Sequence, residues 1–98
     1  MKIICKEALK NFKGDDLKNE EGILTVGKAI SNILLSSKEG GKMKMYILSQ
    51  KLYSDEVVEV DEADLNLIKG SVEKTENYFN NVTGQLLVKL EEIKKEPK

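Results

Sequence analysis

The sequence predicts an α+β chain, mostly α: a short N-terminal β-hairpin followed by about four short helices in one domain over residues 1–96. Two patterns carry this expectation. From residue 25 onward, apolar residues recur at i, i+3, i+4 spacing in four separate segments. Residues 1–24 instead hold short alternating runs punctuated by Gly14 and Gly22, the pattern of strands and turns. Length adds a bound. A chain of 98 residues buries only about 60–65% of its unfolded surface, enough for one modest core and no second lobe.

Lys2 to Lys6 alternates loosely, with Ile3 and Cys5 on one face, as a short strand would. Asn11-Phe12-Lys13-Gly14-Asp15-Asp16-Leu17 has the composition of a hairpin tip, with Gly14 free to take positive φ. Glu20-Glu21-Gly22 marks a second turn. Thr25 is placed as an N-cap. Behind it Val26, Ala29, Ile30, Ile33 and Leu34 form one stripe of a helix over 26–37. Gly40-Gly41 interrupts, and a second helix follows over 42–53. Its apolar residues Met43, Met45, Tyr46, Ile47, Leu48, Leu52 and Tyr53 nearly encircle it, which implies burial on more than one side or a partner.

Glu56-Val57-Val58-Glu59-Val60 is β-rich and suits a brief strand that pairs back with the N-terminal strands. Asp61 caps a third helix that ends near Glu76, with Glu62 and Asp64 favouring its positive end and Leu65, Ile68 and Val72 inward. After a polar turn over 77–81 a last helix spans 82–94, with Val82, Leu86, Leu90 and Ile93 inward. Glu96-Pro97-Lys98 is a tail expected to fray. Gly27 and Gly70 fall inside helices, where Gly costs about 1 kcal/mol relative to Ala, and such positions usually mark close helix packing.

Composition narrows the chemistry. There is no His, Trp or Arg, so all 16 basic residues are Lys, and there is one Cys. A Ser-His-Asp triad, a Cys-His pair, a His-bearing zinc site and an intrachain disulfide are therefore excluded. Cys5 reads as a small core residue. The acidic run Asp55, Glu56, Glu59, Asp61, Glu62 and Asp64 lacks EF-hand spacing and reads as caps and solvated charge, and the seven glycines form no phosphate-binding motif. Gly40-Gly41-Lys42 reads as a turn before it reads as an anion site. No metal, cofactor or catalytic residue is expected.

The net charge of −1 conceals a segregation: residues 1–53 carry ten Lys against six acids, and residues 54–98 carry six Lys against eleven acids. Weak net charge and the absence of Arg disfavour nucleic acid as a partner. The apolar run Ile3-Ile4-Cys5 is too short for a signal peptide or a membrane span, so the expected compartment is the cytoplasm. There the Asn81-Val82-Thr83 sequon carries no weight.

The successions Leu24-Thr25-Val26-Gly27-Lys28, Leu34-Leu35-Ser36-Ser37 and Leu48-Ser49-Gln50-Lys51-Leu52-Tyr53 together resemble a family of small proteins encoded by tailed bacteriophages and prophages. Val58-Glu59-Val60-Asp61-Glu62-Ala63-Asp64-Leu65 and Gly84-Gln85-Leu86-Leu87 extend the resemblance over most of the chain, as does the turn with Gly14, Asp15 and Leu17. The family brings no catalytic residues with it. The resemblance implies a viral accessory or assembly protein acting in the cytoplasm of an infected bacterium.

Two classes of function follow, neither of them enzymatic. The first is a module that binds a host or phage protein, such as an inhibitor of a host defence protein or an assembly factor. Its candidate anchors are Met43, Tyr46, Tyr53, Tyr78 and Phe79, which otherwise complete the core. The second is a homo-oligomeric binder that sequesters a nucleotide signal. Lys38, Lys42 and Lys44 would then neutralise phosphate while a Tyr stacks on the base.

Overall fold

Ile3 sits opposite Val58, and both are buried, so the first strand of the chain is completed by a segment more than fifty residues away. In the computed structural model, which describes residues 1–19, 22–37, 41–76, 78 and 80–95, strand β1 (Lys2–Ile4) pairs antiparallel with a strand at Val57–Glu59. The register sets Lys2 against Glu59 and Ile4 against Val57, so the pleat turns Ile3 and Val58 inward and the Ile4–Val57 pair outward. Between these partners come β2 (Lys18–Asn19), β3 (Gly22–Ile23), α1 (Val26–Ser36) and α2 (Lys42–Ser54). After the Val57–Glu59 strand, β4, come α3 (Glu62–Lys74) and α4 (Asn80–Lys95). The α+β, mostly α architecture read from the sequence is the one observed, including the return of the Val57 segment to the N-terminal strand.

The described residues between β1 and α1 form an irregular meander, in which β2 and β3 pair antiparallel. Three leucines tie it together through their backbones. The Leu9 N–H donates to the Leu24 carbonyl (3.0 Å), Leu17 to Leu9 (2.8 Å) and Leu24 to Leu17 (2.8 Å). The predicted tip at Asn11–Asp15 closes as expected, with Gly14 at φ +88°, a conformation that costs other residues. Asn11 Oδ1 accepts from the N–H groups of Lys13 and Asp15, at 2.9 and 3.0 Å.

Both predicted caps form. Thr25 Oγ1 accepts from the Lys28 N–H (3.3 Å), and Asp61 Oδ1 accepts from the Asp64 N–H (2.7 Å). The stripes of α1 (Val26, Ala29, Ile30, Ile33, Leu34), α3 (Leu65, Ile68, Val72) and α4 (Val82, Leu86, Leu90) all lie in one core with Ile3, Cys5, Leu9, Leu24, Met45, Leu48, Leu52, Val58 and Val60. Helix α4 starts at Asn80, two residues earlier than its apolar stripe indicates.

Gly27 explains how the two halves meet. A Cβ there would stand 2.2 Å from the Leu52 carbonyl oxygen and 2.6 Å from Cys5 Cβ, so only Gly lets α1 approach α2 and the end of β1 this closely. The Gly27 N–H donates to the Cys5 carbonyl (2.9 Å), while the Cys5 N–H donates to the Glu56 carbonyl (2.8 Å). Gly70 corrects the same expectation: among the described residues nothing lies within 4 Å of where its Cβ would be, so no described helix packs there.

The predicted turn residues Glu20, Glu21 and Gly40, the candidates Lys38 and Phe79, and the tail 96–98 lie outside the described residues.

Candidate functional site

Helices α1 and α2 run antiparallel. Gly27, at the start of α1, meets Leu52 near the end of α2, and one turn further on the Ser31 hydroxyl donates to the Ser49 carbonyl (2.9 Å). Ser31 and Ser49 are both buried, and the Ser49 hydroxyl is satisfied by the Met45 carbonyl at 2.7 Å. Small residues along this seam bring the helices close and leave larger side chains standing at its borders.

Those larger side chains are apolar or aromatic and open to solvent. The apolar ring around α2 splits: Met45, Leu48 and Leu52 enter the core, whereas Met43 (76% exposed), Tyr46 (55%) and Tyr53 (47%) do not. Met43, Tyr46 and Tyr53 are spaced i, i+3 and i+10, which places them along one side of the helix, and Ile47 (44% exposed) is open to solvent as well. Facing them from α1 is Leu35, 58% exposed. Between the two helices lies an open groove lined by Asn32, Leu35, Tyr46, Ser49, Gln50 and Tyr53.

Polar contacts fix the rims of this groove. The Lys28 ammonium lies 5.8 Å from the centre of the Tyr53 ring, a cation–π contact. Asn32 Nδ2 donates to the Tyr78 hydroxyl at 2.9 Å. Tyr78 is half-buried and packs against the core, so it braces the groove from behind instead of standing in it as an anchor.

Of the lysines expected around a phosphate, neither Lys42 nor Lys44 is in the groove lining. Lys42 is exposed in the first turn of α2, and Lys44 turns toward α3, its Nζ 2.6 Å from Asp64 Oδ1. The hydrogen bond and charge of Lys44 hold the Asp64 carboxyl below its ordinary range against the opposing effect of burial, and Asp64 in turn raises Lys44. Of the acidic run, Asp61 caps α3, Asp64 pairs with Lys44, and Glu56 lies 3.8 Å from Lys6. Among the described residues no group of three or more carboxylates and thiols converges as a metal site. Burial, with the charge of Asp55 adding to it, pushes the Cys5 thiol up. No helix among the described residues is long and apolar enough to cross a membrane.

Phe12 stands out in the structure but not in the sequence. It is fully exposed at the tip of the Asn11–Asp15 turn and borders a second groove with Gly84, Gln85, Val88 and Lys89 of α4. Gln85 holds this turn in place as a strand partner would: Lys10 N–H donates to its Oε1 (3.0 Å), and its Nε2 donates to the Lys10 carbonyl. A phenylalanine inside a turn of otherwise polar residues was the one available signal.

Comparison with known proteins finds no matching family model, no matching curated protein and no matching solved structure.

Proposed function

We propose that this chain is a non-enzymatic protein-binding module whose docking surface is the α1/α2 groove, with Tyr46 and Tyr53 as principal anchors and Met43 and Leu35 beside them. One observation carries the reading. A helix with apolar residues on all sides is buried on only one, and its uncovered aromatics border a groove whose floor is rigid and hydrogen-bonded. Aromatic and Met side chains held on a stiff scaffold supply contact area at low entropic cost, which is how the few dominant residues of an interface work.

The resemblance to small phage proteins supports a partner in an infected bacterium, a host protein to be inhibited or a phage protein to be assembled, with the host cytoplasm as the compartment. Pairing of Lys44 with Asp64 favours this reading over sequestration of a nucleotide, because it commits one of the three lysines that would neutralise phosphate.

Affinity capture from infected-host lysate tests the proposal. The parent chain retains a partner at near stoichiometry, and a Tyr46→Ala, Tyr53→Ala variant of equal stability does not. Equal retention by both overturns the groove as the docking surface. A thermal shift with a nucleotide, of about 2.7 kcal/mol at a hundredfold excess over Kd, without any retained protein, favours the sequestering reading.

A further inference from the structure

We infer that the occupant of the α1/α2 groove is an acidic amphipathic helix of a partner protein, an inference that rests on the docking role of that groove and adds the chemistry of what docks. Neither α1 nor α2 contains an Asp or Glu, and together they carry Lys28, Lys42, Lys44 and Lys51. Lys44 is held by Asp64, and among the described residues no ion pair is formed by Lys28, Lys42 or Lys51. Asp55 caps the C-terminus of α2 and lies outside both helices.

Two of these lysines stand toward opposite ends of α2. Lys28 lies over Tyr53, at the end of α2, and Lys42 lies in its first turn, one residue before Met43. The eleven-residue step from Lys42 to Tyr53 rises about 16 Å, or about three helical turns. Between these charges the lining is apolar or neutral: Leu35, Tyr46, Ser49, Gln50 and Tyr53. The complementary ligand has an apolar stripe flanked by carboxylates about three turns apart. A helix laid along the seam of two antiparallel helices packs as helices pack on one another. A nucleic acid strand would need a continuous track of cations, and the described lining of this groove holds none.

The test is selection of displayed random peptides of about 16 residues, about four and a half helical turns, on the immobilised full-length chain. Expected are peptides of net negative charge with Leu, Phe or Tyr at helical spacing. Their retention falls at least about fivefold on a Lys28→Glu, Lys42→Glu variant and is lost on the Tyr46→Ala, Tyr53→Ala variant. Selected peptides that are neutral or basic but still need Tyr46 and Tyr53 overturn the acidic partner and leave the groove standing. Peptides that bind the tyrosine variant equally, or no enrichment over the blank support, overturn the groove and the inference with it. Displacement of the peptides by oligo-dT at lower concentration than by free peptide also overturns it, in favour of nucleic acid.

Discussion

Gly27 lies so close to Leu52 that a Cβ on the glycine would sit 2.2 Å from the leucine carbonyl oxygen. This contact sets the spacing of α1 against α2, and with it the width of the groove that Tyr46 and Tyr53 border. Substituting Gly27→Ala forces backbone or Cys5 to move. The expected loss is about 1–3 kcal/mol, as for overpacking elsewhere, despite the better helix propensity of Ala. Urea unfolding with an unchanged m-value measures it; an equally stable or stabilised variant contradicts the close approach.

Gly70 predicts the opposite sign. Among the described residues nothing lies within 4 Å of its absent Cβ, and it falls in the interior of α3. Gly70→Ala is expected to raise stability by about 0.8–1 kcal/mol. A loss of stability in the same unfolding experiment shows that something packs at this site.

Asp64 makes stability pH-dependent. Its folded-state pKa is depressed by Lys44, so the contribution is fully present above its unfolded pKa and is lost as pH falls through the depressed folded value. The parent chain is expected to exceed Asp64→Asn in Tm at pH 7, with the gap closing as pH falls below about 4. A gap that persists unchanged at pH 2 assigns the effect to packing. The raised pKa of Lys44 works on the other side: its share is lost only as pH rises above the ordinary lysine value.

Cys5 is buried against Gly27, and its thiol is pushed up. The folded chain is expected to react with an aromatic disulfide reagent only as fast as it opens, and fully in denaturant. Rapid labelling of the native chain contradicts the burial.

Local rules made much of this fold legible. Thr25 and Asp61 cap helices because their side chains reach a backbone N–H within one turn, and the inward stripes of α1, α3 and α4 follow from spacing alone. The partner of β1 was also legible, since Val57 to Val60 is the other β-rich run with an apolar residue to set beside Ile3. What sequence could not settle is which side of α2 stays open. Met43 and Met45 lie on different sides of one helix, and only the placement of α1 decides that Met45 enters the core while Met43 faces solvent. Gly27 and Gly70 posed the same difficulty. Both are glycines inside helices, yet one touches a neighbouring backbone and the other touches nothing. Phe12 was hidden because its exposure depends on Gln85, seventy-three residues further on, which fixes the turn.

The docking claim is tested most directly by calorimetric titration of the captured partner into three chains: the parent, Tyr46→Ala with Tyr53→Ala, and Phe12→Ala. Surface truncations of this kind leave stability within about 0.5 kcal/mol, so all three fold. Kd is expected to weaken by at least about thirtyfold in the double tyrosine variant and to be unchanged by Phe12→Ala. Undiminished affinity of the double tyrosine variant contradicts the docking claim.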